Sequence, residues 1–203
     1  MYKTIGSLIL ASSSPRRREL LSRLGLTFTI LPSGIEESEA LAGAPEIIAQ
    51  EWAKRKALAV AGRMGADEDH WYLGVDTMVV VDGDILGKPA SREQAEEFLR
   101  RLSGRWHQVV SGYCLVHPPT RRQVQNLVSS RVLIAALEPD ELSAYLDTEE
   151  PYDKAGAYAV QGIGAFMVAE IDGSYTNVVG LPLTELVADL RRLGVIETRK
   201  ART

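Results

Sequence analysis

Between Leu10 and Leu21 the chain reads Leu-Ala-Ser-Ser-Ser-Pro-Arg-Arg-Arg-Glu-Leu-Leu, which crowds hydroxyls, free amides and guanidinium groups at one helix start. Leu8 to Ala11 is an apolar run fit for a buried strand, Ser12 to Ser14 form a polar turn, and Pro15 suits the first position of a helix. Leu20, Leu21 and Leu24 mark the apolar side of that helix, and Gly25 stops it. A helix start is partly positive because its first amides are unpaired, so it favours carboxylates. Here it holds Arg16, Arg17 and Arg18 instead. Three cations in that position cost stability unless an anion lies among them. The chemistry indicated is phosphate binding, with Ser12, Ser13, Ser14, Arg16, Arg17 and Arg18 as donors.

Asp76 is the second chemical feature. It stands inside Leu73-Gly74-Val75-Asp76-Thr77-Met78-Val79-Val80-Val81, where every neighbour but Thr77 is apolar or glycine. A buried carboxylate costs several kcal/mol unless it is paired, hydrogen-bonded or bound to a metal. Either a catalytic or cation-binding task, or a bulged edge strand with Asp76 turned to solvent, accounts for it. Lys56 falls in the middle of the apolar arc formed by Ile48, Ala49, Trp52, Ala53, Ala59 and Val60. It either snorkels along its stem or reaches through a packed face toward an anion. Lys88 follows a hairpin in Leu86-Gly87-Lys88-Pro89, and Glu36 and Glu37 follow Leu31-Pro32-Ser33-Gly34-Ile35 as an acidic loop. Tyr152 to Gly162 alternates small, polar and aromatic residues; its glycines allow close backbone approach, and Gln161 can pair with a base edge. Gly173 to Asn177, before Val178 to Pro182, is a second possible anion contact.

These residues need a frame to hold them. Apolar periodicity predicts a helix over 45–63, a strand over 72–81 and a hairpin turn at 82–84. A helix capped by Ser91, with Gln94 completing the capping pattern, closes at Gly104. Two long strands follow over 107–116 and 124–136, with Pro118 and Pro119 between them. A short helix runs over 139–147, a strand over 165–171 and a last helix over 182–193, leaving 196–203 as a charged, frayed tail. The expectation is one α/β domain over 1–203, with a mixed twisted sheet flanked by helices.

Bulk properties narrow the function. The 203 residues are 45% hydrophobic and 25% charged, as in an ordinary globular domain, and the net charge of -4 offers no global attraction for nucleic acid or anionic membrane. The basic helix start is therefore a local device. Cys114 is the single cysteine, so neither an internal disulfide nor a multi-cysteine metal site can form. His70, His107 and His117 are too scattered for a metal cluster or a triad, and no Walker-type loop is present. No apolar run approaches membrane-spanning length, and a cytoplasmic location is expected.

In ordered combination the motifs closely resemble the Maf family of nucleoside triphosphate pyrophosphatases over nearly the whole chain. The resemblance rests on Ala11 to Leu21, Val75-Asp76-Thr77, Gly87-Lys88-Pro89, Leu102-Ser103-Gly104, Asp153-Lys154-Ala155-Gly156-Ala157-Tyr158 and Gly180-Leu181-Pro182. It implies hydrolysis of a nucleoside triphosphate to monophosphate and pyrophosphate with a divalent cation (Mg²⁺ or Mn²⁺), a nucleotide cleft between two lobes, and a homodimer. It assigns the proton acceptor to Asp76 and an essential carboxylate to Glu37, and as carboxylates facing a triphosphate the two are expected to hold the cation together. Cationic partners fall on Arg16, Arg17, Lys56 and Lys88, and determinants of base choice on Arg16, Thr77 and Gln161. Asp76-Thr77 with Gln161-Gly162 looks like the dTTP/UTP-hydrolysing subgroup, whereas Val75 and Ala159 depart from the commoner alanine and glycine. Two other readings stay open: a regulator that binds nucleotide without turnover, and a house-cleaning pyrophosphatase for modified purine nucleotides.

Overall fold

A computed structural model describes residues 1–35, 41–65 and 69–199. Strands β1 (Tyr2–Thr4) and β2 (Ser7–Leu10) lead into helix α1 (Pro15–Arg23), followed by β3 (Thr29–Ile30), α2 (Pro45–Met64), β4 (His70–Val81) and β5 (Asp84–Leu86). Then come α3 (Arg92–Leu102), β6 (Trp106–His117), β7 (Arg122–Ile134), α4 (Pro139–Leu146), β8 (Val168–Asp172), α5 (Tyr175–Val179), α6 (Leu183–Arg192) and β9 (Ile196–Thr198). Local chemistry sets the boundaries. Ser91 Oγ accepts the Gln94 amide at 3.3 Å, and the Gln94 side chain accepts the Ala90 amide at 2.7 Å, which starts α3. Asp82 and Gly83 both take positive φ, 53° and 85°, the conformation that a two-residue turn between β4 and β5 requires.

The sheet is mixed, in the order β3-β2-β4-β6-β7-β8, with β5 beside β4. β2 is parallel to both β3 and β4, whereas β5 on β4 and β8 on β7 are antiparallel. The chain forms two compact units: Met1–Asp76, Ser111–Leu127 and Gly180–Thr203 in the first, Thr77–Val110 and Val128–Val179 in the second. β4, β6 and β7 each contribute residues to both. In the first unit, Ile9, Ala11, Tyr72, Cys114 and Val116 from the strands pack with Ala53, Ala57, Val60 and Ala61 of α2. In the second, Val79, Val81, Val109, Val132 and Ile134 pack with Phe98, Leu99 and Leu102 of α3 and with Leu142, Tyr145 and Leu146 of α4. Each fully buried leucine there contributes about 1.5–3 kcal/mol relative to exposure.

Two expectations need correction. Ile163–Met167 is a 3₁₀ turn, and the strand begins only at Val168. The apolar residues Ile163 to Met167 satisfy either conformation, and the glycines at 162 and 164 tip the balance toward a turn. Ile196–Thr198 is not a loose tail but an antiparallel partner of Tyr2–Thr4. That pairing joins residues nearly 200 positions apart, so no local pattern announces it; residues 200–203 lie outside the described ones.

Candidate active site

The first unit carries the phosphate-like turn. The parallel register ends at Leu10↔Leu73, and the Ala11 amide donates to the Leu73 carbonyl at 2.8 Å. The Ser12 to Ser14 turn follows at the carboxyl end of β2, and β4 runs on through Asp76 to Val81. Ligands of open α/β sheets bind at the carboxyl ends of the strands. Ser12, 7% exposed, accepts the Ser14 amide at 3.3 Å and an Arg17 guanidinium N–H at 3.0 Å. Ser14 caps α1 by accepting the Arg17 amide at 3.5 Å. Arg17 Nε also donates to the Gly180 carbonyl at 2.9 Å, which ties the turn to the segment ahead of α6. The first turn of α1 contains no acidic residue. Serine hydroxyl, helix amides and arginine are thus arranged in one place, a donor-rich seat for an anion.

Asp76 and Lys56 are brought together. Lys56 Nζ lies 2.6 Å from Asp76 Oδ1, with the residues 8% and 5% exposed. The cause is the close approach of α2 to the sheet. Tyr72, Gly74 and Asp76 share one face of β4, because side chains alternate along a strand. A Cβ on Gly74 would lie 2.0 Å from the Ala53 carbonyl oxygen and 2.7 Å from the Ala57 amide. On the neighbouring strand, a Cβ on Gly112 would lie 2.8 Å from backbone atoms of Ala49 and Gln50. Ala49, Ala53 and Ala57, spaced by four, are fully buried along the facing stripe of the helix. Two glycines and three alanines therefore let the helix backbone touch the sheet, and Lys56 reaches its carboxylate from that position. The alternative of an Asp76 turned to solvent is excluded by its burial.

The second unit carries Thr77, Lys88 and Gln161. Thr77 is half-buried, Lys88 exposed and Gln161 half-buried. The Gly156 amide donates to the Gly87 carbonyl at 3.1 Å, and a Cβ on Gly156 (φ 71°) would meet Val79 at 2.9 Å. This joins the loop bearing Lys88, the Asp153 to Tyr158 motif and β4 just beyond Thr77. Beneath them, His107 Nε2 and the Tyr158 hydroxyl lie 2.8 Å apart in the core. Burial pushes the imidazole down to about 4 and the phenol up from its ordinary value. Asn177, fully buried, donates to the Val109 carbonyl at 2.9 Å and the Ser130 hydroxyl at 3.0 Å, so its amide serves the fold.

Glu37 lies outside the described residues. Among the described residues no group of three or more His, Cys, Asp or Glu gathers to hold an ion. In kind, the donors still suit a hard cation: Asp76 offers carboxylate oxygen, and Mg²⁺ takes one or two carboxylates with phosphate oxygens completing its shell. The sequence-based reading names Gly74 and Gly180 only within motifs and Gly112 not at all, and the backbone part each plays at the site comes from the structure. The alanines at spacing four, opposite a glycine within an apolar strand, are the signal that points to Gly74 and Gly112.

An anion seat at the carboxyl end of a parallel strand pair, in the same unit as a buried lysine–aspartate pair, defines an α/β protein equipped to hold an anion. Residues 7–193 match the family of Maf-like proteins, and the chain belongs to that family. It is 46% identical over 191 residues to the dTTP/UTP pyrophosphatase of Geobacter sulfurreducens, covering 94% of this chain and 98% of that protein. It is 46% identical over 187 residues to the dTTP/UTP pyrophosphatase of Syntrophus aciditrophicus, covering 92% and 90%. A third relative, the dTTP/UTP pyrophosphatase of Caldicellulosiruptor bescii, is 44% identical over 188 residues, covering 92% and 94%. No helix among the described residues is long and apolar enough to cross a membrane.

Proposed function

We propose that this protein hydrolyses dTTP and UTP to the nucleoside monophosphate and pyrophosphate. The observation that carries the reading is the buried Lys56–Asp76 pair in the same unit as the Ser12 to Arg17 turn, in a chain 46% identical to a dTTP/UTP pyrophosphatase. A protein that merely held a polyanion would gain nothing from a buried carboxylate beside it. Asp76 is the proton acceptor: it orients a water for attack at the α-phosphorus and takes its proton, while Lys56 fixes the carboxylate. The Ser12 to Ser14 turn, Arg16 and Arg17 bind the phosphates, and Arg17 and Lys88 offset charge that develops on the leaving pyrophosphate. Arg16, Thr77 and Gln161 choose the base. A divalent cation, Mg²⁺ or Mn²⁺, would be held by Asp76 and Glu37 and would supply positive charge beside the scissile anhydride. A homodimer in the cytoplasm completes the reading.

Pyrophosphate release from dTTP, UTP, CTP, dITP and 7-methyl-GTP, with Mg²⁺, Mn²⁺ or EDTA, tests it beside Asp76→Asn. Release is expected to be much faster from dTTP and UTP than from the other three, to vanish with EDTA, and to fall at least ~10²-fold in the variant. Saturable binding of dTTP without release would replace hydrolysis by a regulatory role. Preference for dITP would move the substrate to modified purines, and near-normal turnover in Asp76→Asn would remove the base assignment.

A further inference from the structure

We infer that Glu150 is the positioning residue that sets Gln161, and thereby the choice of base, an inference that rests on the proposed role of Gln161. Glu150 lies ahead of the Tyr152 to Gly162 segment and belongs to none of the motifs that identify the site. Its carboxylate accepts the Ile163 amide at 3.0 Å through Oε2 and the Gly164 amide at 2.7 Å through Oε1. Oε1 also accepts the Tyr145 hydroxyl at 3.1 Å. Tyr145 is 2% exposed in α4, so the carboxylate is anchored to a packed helix.

The turn that follows Gln161 is closed around this group. Gly162 has φ 91°, and a Cβ there would lie 2.2 Å from Glu150 Oε2. A Cβ on Gly164 would lie 2.8 Å from the Tyr145 hydroxyl and 2.9 Å from the Ala159 carbonyl oxygen. Both glycines are thus required by the approach of the turn to Glu150 and Tyr145, and neither has a side chain to hold the turn by itself. Two charge-assisted amide bonds do so instead. On the other side, Lys154 Nζ donates to the Glu150 carbonyl at 2.7 Å and pairs with Asp153, so the backbone of Glu150 is held as well. A base-reading amide side chain must be placed to within fractions of an ångström, and Gln161 stands two residues ahead of Ile163, the first clamped amide, with only Gly162 between them.

Glutamine at 150 would retain one acceptor and set an amide N–H against a backbone N–H, so it should restore the clamp only in part. Alanine removes it. For the purified full chain, kcat and KM are measured for dTTP and CTP in Glu150→Ala, Glu150→Gln and Gln161→Ala, with thermal midpoints alongside. Glu150→Ala should raise KM for dTTP about tenfold with kcat within about twofold, and lower the dTTP:CTP ratio of kcat/KM about tenfold. Glu150→Gln should fall between it and the wild type; if the alanine variant does not fold, the glutamine variant carries the test. Loss of selectivity in Gln161→Ala with unchanged selectivity in both Glu150 variants overturns the clamp. So does a fall in kcat/KM that is equal for both nucleotides and tracks the thermal midpoint, because that is a purely structural role. Unchanged selectivity in Gln161→Ala overturns the base-reading role itself, and the inference with it.

Discussion

Replacing Lys56 by methionine separates stability from chemistry at the buried pair. The stem keeps its packing, but the ammonium 2.6 Å from Asp76 Oδ1 is gone, and the carboxylate stays in a setting only 5% exposed. Removing one partner of a buried pair costs about 3–5 kcal/mol, because the other charge is left uncompensated. At about 2–4 °C per kcal/mol for a chain of this size, the thermal midpoint should fall by about 6–20 °C. Replacing both groups, as Lys56→Met with Asp76→Val, removes the buried carboxylate as well, and buried pairs exchanged for apolar residues are often neutral or stabilising by about 1–4 kcal/mol. The double variant should therefore be more stable than the single one, while both lose pyrophosphate release by at least ~10²-fold. Thermal denaturation and pyrophosphate release from dTTP, measured on all variants of the cycle, supply both axes. A wild-type midpoint in Lys56→Met, or a double variant no more stable than the single, would refute the argument that the pair is retained for its chemistry at a cost to stability.

Two further perturbations follow from the same structure. Burial holds His107 down to about 4 from an ordinary 6.5, so the unfolded chain binds a proton that the folded one excludes. Its contribution, about 3 kcal/mol at most, is present above the unfolded value and is lost as pH falls from about 6.5 toward 4. Urea midpoints measured across that range should slope less in His107→Phe than in the wild type, and identical slopes would contradict the assignment. Gly112→Ala sets a Cβ 2.8 Å from the α2 backbone, atoms that no rotamer change can move, whereas Gly6→Ala meets nothing within 4 Å. The first should lower stability by about 1–3 kcal/mol or more and the second by less than about 0.5 kcal/mol, both read from denaturant midpoints.

Much of this protein is legible along the chain. The strand, serine turn, Pro15 and three arginines appear in the structure as β2, a capped turn and α1, because each step is a local preference: apolar burial, capping, fixed proline φ. The helix over Pro45–Met64 and the long strands are legible for the same reason, since their periodicity is carried by neighbours within a turn or two. The order of motifs also suffices to indicate the family. Tertiary structure decided what depends on distant partners. Lys56 and Asp76, twenty residues apart, each allowed two readings until Gly74 and Gly112 brought α2 onto the sheet. Tyr2–Thr4 and Ile196–Thr198 pair across the length of the chain, and Glu150 holds the amides of the turn that stands where the start of β8 was expected. Local sequence sets which conformation a segment prefers; which side chains meet is set by backbone approach between segments, an energy that no single segment contains.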